Sequence, residues 1–249
     1  MDHAGEQLKH ASRGAPIRRL AFVLGALVLA AAAGPSAPSI LLREQAWTAP
    51  GPALAHDLTH APGECISART DATEIGRALF RGPGILGGPV ARLGVSCNAC
   101  HSGGRVNAHF YLPELTNRMA AADTTSEWAS KVRGDGVMNP RDIPDLALVS
   151  GKTSFGHLND PSLEHFTHSV IVDEFQGAEP PAQAFTSVVA YIRALNTNAC
   201  PAGESAITLR TAADDVRRAV AAAAATVNQA RPAPCPGPPA WSGRRCRPP

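Results

Sequence analysis

The chain has 249 residues, of which 44% are hydrophobic, 18% charged and only 5% aromatic, and its formal net charge is +2. That charge divides into +2 over residues 1–33, +4 over residues 231–249 and −4 over the stretch between, which excludes a nucleic-acid-binding basic face for the middle of the chain. The length suits one or two domains, and because both ends look non-globular the packed part is smaller than the whole.

The first element is an export signal. Arg18-Arg19 precede the apolar run from Leu20 to Ala33, a basic n-region followed by an h-region, with Ala31-Ala32-Ala33 as a small-residue cleavage site. An uncleaved anchor is the alternative, since no charge occurs from Leu20 to Leu42, a length that spans a bilayer. Gly34, Pro35 and Pro38 interrupt that stretch and favour cleavage. The expected location is therefore periplasmic, either soluble or held at the inner membrane through residues 20–42. This is an oxidising compartment that permits disulfides. Residues 34–64, with Pro50, Pro52 and Pro62, read as a linker.

A helix is predicted next. Asp71-Ala72-Thr73-Glu74 resembles a capping box, Ile75, Leu79 and Phe80 mark one apolar side, and Gly82-Pro83-Gly84 ends it. A glycine-rich loop leads to Cys97-Asn98-Ala99-Cys100-His101, the Cys-x-x-Cys-His signature of c-type haem attachment. Two thiols three positions apart can bond the two vinyl groups of one porphyrin, and the next residue offers an imidazole to the iron. A zinc site would want a second pair of ligands at matching spacing, and a thioredoxin-like dithiol would sit beside a βαβ pattern. Neither accompaniment occurs here. The sequence thus assigns Cys97 and Cys100 to covalent attachment of one haem c, and His101 to its iron.

Residues 102–123 read as loop. Thr124 to Glu127 offer a capping box for a short helix with Trp128 and Val132 on one face, followed by the turn-rich segment Gly134–Pro140. Asp160 and Pro161 supply N-cap and first-turn signals for a further helix with Leu163, Phe166 and Val170 on its core face, and His165 and His168 on the other. Pro180-Pro181 open a helix with Phe185, Val188, Val189, Ile192 and Leu195 at helical spacing, closed by Cys200-Pro201. Residues 203–230 form an alanine-rich helix in which Asp214 faces Arg217 and Arg218, and Leu209, Val216 and Val220 make a narrow apolar stripe for docking. Residues 231–249, rich in Pro, Gly and Arg, are expected to be disordered. No convincing strand is read, and the fold class is all-α.

A helix ahead of Cys-x-x-Cys-His, and an amphipathic helix ending in Ala190-Tyr191-Ile192-Arg193-Ala194-Leu195, resembles the class I cytochrome c fold, in which first and last helices cross and clamp the haem. Ile75-Gly76-Arg77-Ala78-Leu79-Phe80 with Val95-Ser96-Cys97-Asn98-Ala99-Cys100-His101, then Ile143-Pro144-Asp145-Leu146 and Ser162-Leu163-Glu164, resembles a haem domain of the bacterial di-haem cytochrome c peroxidases and methylamine-utilisation proteins. The resemblance implies a cytochrome c-like domain over residues 65–202 with an extra C-terminal helix. Its function would be electron transfer with a redox partner protein, another cytochrome or a quinone-linked complex. Peroxidase-like reduction of hydrogen peroxide is the alternative, with His157 or Glu127 as acid or base. Those peroxidases carry two attachment motifs; this chain carries one.

For the sixth iron ligand, Met138 is the first choice, because it lies in a glycine-bounded loop between the motif and the last core helix. Met119 and His157 follow, and His165 and His168 read as surface residues. The resemblance also places the Pro144 carbonyl near the proximal imidazole. Arg92 and Arg105 bracket the motif, and either could pair a haem propionate. Of the four cysteines outside the motif, Cys65 and Cys200 flank helices that the resemblance brings together, so they are expected to form a disulfide; Cys235 and Cys246 in the tail have no assigned role.

Overall fold

The computed structural model describes residues 47–52 and 54–229. The expected export signal, the candidate anchor 20–42, Cys235, Cys246 and the tail 231–249 lie outside the described residues. Nothing in the described part is a helix long and apolar enough to cross a membrane.

The protein is largely helical. In chain order the elements are α1 (Leu54–Thr59), β1 (His60–Pro62), α2 (Asp71–Arg81), α3 (Gly88–Arg92), α4 (Cys97–Cys100), β2 (Ala121–Ala122), β3 (Arg141–Asp142), α5 (Leu163–Ser169), α6 (Ala182–Ala194), β4 (Glu204–Ala206) and α7 (Leu209–Gln229). A π-helical turn, Val170–Glu174, continues α5. Two small antiparallel ribbons correct the strand-free expectation: β1 pairs with β4 (Ala61 opposite Ser205), and β2 with β3 (Ala121 opposite Asp142). At two or three residues each, strands this short leave no alternation long enough to read. The stretch expected as linker therefore contains α1 and β1.

Helix α2 starts one residue earlier in its capping than the sequence suggests. Thr70 is the N-cap, and its side chain and that of Thr73 each accept the other residue's backbone N–H. Helix α5 is capped by Ser162, which accepts from His165 N–H, while Asp160 holds Ser162 itself. The helix expected after Thr124 does not form, and residues 124–129 are turns and a bend. The cause is Asp123, whose Oδ1 accepts from the Thr125 N–H and hydroxyl while Oδ2 accepts from Asn139 N–H. A side chain that satisfies nearby backbone donors in this way competes with helix formation.

Helices α2 and α6 cross in close contact at Gly76. A β-carbon there would stand 1.8 Å from the Ser187 carbonyl oxygen and 2.9 Å from Tyr191 Cβ, so only glycine lets the two backbones approach so closely. Two apolar clusters build the core, one around Val90, Phe110, Leu115 and Ile171, the other around Phe80, Val188, Tyr191 and Leu195. Cys65 and Cys200 form the expected disulfide, with the sulfurs 2.10 Å apart.

A buried ionic network ties the segment before α2 to three helices. Glu64 accepts from Arg77 Nε at 2.7 and 2.8 Å and from the Tyr191 hydroxyl at 2.7 Å, and Arg77 Nη2 reaches Asp215 on α7 at 3.0 Å. Burial pushes the Glu64 carboxyl up, but Arg81, Arg77 and the Tyr191 hydroxyl together outweigh it and hold the group below its ordinary 4.5. The stability Glu64 adds is thus complete above about pH 4.5 and is lost as pH falls through the depressed folded value. Glu64→Gln leaves the buried Arg77 with Asp215 as its one remaining carboxylate and is expected to cost about 3 kcal/mol at neutral pH. Denaturant melts from neutral to acid pH should show a flatter acid limb in the variant; parallel limbs would remove Glu64 from the account.

Helix α7 docks differently from expectation. Its attachment to α2 runs through Asp215, which accepts from Arg77 and from Arg81 Nη1 at 3.0 Å, and through the buried Ala222. Leu209, Val216 and Val220, read as the docking stripe, point to solvent. Periodicity identified the stripe correctly, but salt bridges chose the opposite face.

Candidate functional site

Ser96 in extended conformation starts the single helical turn Cys97–Cys100, closed by the His101 N–H on the Cys97 carbonyl at 2.9 Å. Residues i, i+3 and i+4 of a helical turn share one side, so Cys97, Cys100 and His101 face the same way. After His101 the chain bends away through Gly103, whose N–H is held by Asn98 Oδ1 at 2.8 Å. The Asn107 side-chain amide braces the turn from behind, donating to the Ala99 carbonyl at 2.9 Å.

All three motif side chains line one cavity of about 460 Å³. It sits between the two core clusters, with Phe80, Ile143, Leu163, Ile171, Val188 and Ile192 among its apolar walls. The Phe80 ring lies 6.5 Å from the His101 ring, centroid to centroid. His101 Nδ1 is 3.0 Å from the Pro144 carbonyl oxygen. A carbonyl only accepts, so Nδ1 carries the proton and Nε2 keeps its lone pair. Burial pulls the imidazole down to about 4, against the smaller upward pulls of the Pro144 carbonyl and the Asp145 carboxylate. The ring is therefore neutral at physiological pH, the form that ligates metals. Chemically, the wall offers two thiols and one imidazole lone pair to the same apolar space.

The side facing the motif is built from residues 40 to 80 positions later. Phe155 and Asp160 pair their backbones at 2.8 and 2.9 Å and project His157 at the cavity mouth. Gly156 makes that turn with φ +66°, and a β-carbon on it would stand 2.4 Å from the Phe166 ring. Glu174 also lines the cavity. It is buried, accepts from Arg133 Nη1 at 2.8 Å, and its carboxyl is raised by burial despite Thr124 and Arg133 beside it. Arg141 and Lys152 place two cations on the wall.

Other sequence candidates lie elsewhere. Met138 is 43% exposed and Met119 is exposed too, and neither lines the cavity. Glu127 and Arg92 are exposed and also outside it. His165 is exposed and paired with Asp160, and His168 with Glu179 at 2.8 Å. Arg105 is held by Asp145 at 2.6 Å, with its Nη1 3.4 Å from both sulfurs of the disulfide. Glu174, Arg141 and Lys152 escaped the sequence reading. The one available signal was Asp173-Glu174 closing the apolar run Val170–Val172, a polar interruption on a face that should be core.

Among the described residues no group of three or more His, Cys, Asp or Glu side chains is placed to hold a metal ion. Compared with protein-family models, curated proteins and solved structures, the chain matches none.

Proposed function

We propose that this chain is an exported mono-haem c-type cytochrome that transfers electrons, with a cytochrome c-like domain clamping the haem between α2 and α6. The observation that carries the reading is the convergence of Cys97, Cys100 and a neutral His101 on one apolar cavity. Its volume falls in the range of about 300–1,000 Å³ usual for cofactor sites. Arg141 and Lys152 on the wall suit the two carboxylates a haem carries. The Cys65–Cys200 disulfide suits the oxidising compartment where haem c is attached.

In this reading the Cys97 and Cys100 thiols would hold the haem covalently, through thioether links to its two vinyl groups. His101 Nε2 would hold the iron, with the Pro144 carbonyl fixing the ring and raising its basicity. Bound haem supplies one-electron exchange between ferric and ferrous iron. The apolar walls keep water from it. Of the further candidates for holding the iron, His157 lines the cavity and Met138 does not. The partner is another cytochrome or a quinone-linked complex.

Glu174 favours a second reading, reduction of hydrogen peroxide. That reaction consumes two electrons and two protons, and a buried carboxyl with a raised pKa can relay protons at a cavity wall. An electron-donating haem protein would complete the balance. The test is direct. Protein exported from cells with haem-attachment machinery should be coloured, heavier than the bare polypeptide, and positive for pyridine haemochrome after acid extraction. A colourless product of bare polypeptide mass overturns both readings. A six-coordinate low-spin spectrum indifferent to peroxide supports the carrier. A five-coordinate spectrum, with peroxide turnover slowed about 10²–10⁴-fold by Glu174→Gln, supports the enzyme.

A further inference from the structure

The Pro144 carbonyl that meets the His101 ring is aimed by its neighbours. Proline fixes its own φ and peptide bonds are planar, so ψ of Pro144 is the soft torsion that directs the carbonyl. That torsion turns with the next peptide, which belongs to Asp145. Upstream, the Ile143 N–H donates to the Ala120 carbonyl at 3.0 Å at the end of the β2–β3 ribbon, and a two-stranded ribbon alone is marginally stable. The direction of the carbonyl therefore depends on how firmly Asp145 is held. Its Oδ1 accepts from the Ala147 N–H at 2.9 Å, and its Oδ2 accepts from Arg105 Nε at 2.6 Å.

We propose that Arg105 is a positioning residue for His101: by gripping Asp145 it aims the Pro144 carbonyl at Nδ1 and so keeps a lone pair on Nε2. Two rungs join the same two segments, His101 to Pro144 and Arg105 to Asp145, 43 and 40 positions apart in sequence. With both rungs made, the segments are closed into a ring; with one broken, the other is a single pivot. A neutral imidazole whose Nδ1 loses its acceptor is free to carry the proton on Nε2 instead, and that nitrogen then offers no lone pair. This role rests on the reading of His101 as the residue that would hold the iron, since that is where a fixed Nε2 lone pair matters.

Arg105 has a firm footing. Its N–H donates to the Ser102 carbonyl at 2.9 Å, and the Gly104 N–H to the His101 carbonyl at 2.8 Å, so it moves with the motif turn. Gly104 takes φ +82°, and a β-carbon there would stand 2.6 Å from Leu195 Cδ1, which seats the turn against the end of α6. Behind the guanidinium, Nη1 lies 3.4 Å from the Cys65 and Cys200 sulfurs. The sequence offers Arg105 to a haem propionate, but Arg105 does not line the cavity and its Nε is committed to Asp145. Exposed ion pairs contribute little; this one is sheltered, the Asp145 side chain being 17% exposed.

Solvent exchange of the His101 ring N–H, followed by NMR on the purified exported protein with isotope-labelled histidine, tests this. The Nδ1 proton should exchange slowly in the parent protein and roughly tenfold or more faster in Arg105→Gln, for the loss of about one hydrogen bond. Asp145→Asn, which keeps an oxygen for the Ala147 N–H, should do the same. The double variant should be no faster than either single one, because both remove the same link, and Arg105→Lys should recover part of the protection. Backbone amides of α2 and α6 should keep theirs throughout. An unchanged ring proton in Arg105→Gln overturns the proposal, as do effects that multiply in the double variant. So does an equal loss of protection across α2 and α6, which would make the pair a general stabiliser. A colourless product overturns the haem reading alone, because the ring proton and its acceptor belong to the polypeptide and are measured either way.

Discussion

Gly76→Val is expected to unfold much of this protein. The β-carbon alone would stand 1.8 Å from the Ser187 carbonyl oxygen, and what it meets is backbone in the middle of α6, which cannot swing aside. Relief requires α2 and α6 to separate. Separation breaks the Glu64–Arg77–Tyr191 network that spans them and opens the cluster around Phe80, Val188 and Tyr191. Overpacking in cores typically costs about 1–3 kcal/mol; with a backbone clash and the buried Glu64 network broken the expected loss is about 3–5 kcal/mol. Removing a helical glycine returns at most about 1 kcal/mol, so the clash decides the sign. Gly84→Ala is the control, because a β-carbon there meets nothing within 4 Å. Denaturant unfolding of both variants checks this, and a Gly76→Val protein as stable as the control would mean the crossing is not close.

Removing the Cys65–Cys200 disulfide has a comparable effect by a different route. The two cysteines are 135 positions apart. In the chain-entropy model a closed loop of that length stabilises by about 5 kcal/mol at 25 °C, set against about 5–15 kcal/mol for a whole domain. The bridge also positions Arg105, whose guanidinium lies 3.4 Å from both sulfurs while its Nε holds Asp145 next to Pro144. Cys65→Ala with Cys200→Ala removes the link without leaving a buried thiol. The double variant should lose about 3–5 kcal/mol in denaturant unfolding and tend to unfold at 37 °C. A loss below about 1 kcal/mol would show that the unfolded chain is constrained by other means.

The helices α2, α5 and α6 were legible from their residues because their signals are local. Thr70 to Glu74 and Ser162 to His165 satisfy backbone donors within one turn, and Phe185, Val188, Val189 and Ile192 repeat with the helix period. The expected helix at Thr124 failed where a local signal met a longer connection, Asp123 reaching Asn139. The ribbons are invisible in isolation, since β1 has meaning only opposite β4, some 140 residues later.

The same division runs through the site. Cys97, Cys100 and His101 lie within five residues, so helical geometry alone puts them on one side, and the amino-acid sequence determined them unaided. Pro144, His157 and Glu174 reach the same cavity from 43 to 73 residues beyond His101, and only packing of the two core clusters placed them there while leaving Met138 outside. Helix α7 shows the limit from the other direction. Periodicity establishes that a face is apolar, but the ion pairs of Arg77 and Arg81 with Asp215 settled which face turns inward. Spacing is a one-dimensional property that the chain carries everywhere; the contact of distant groups is three-dimensional and exists only once the core has closed.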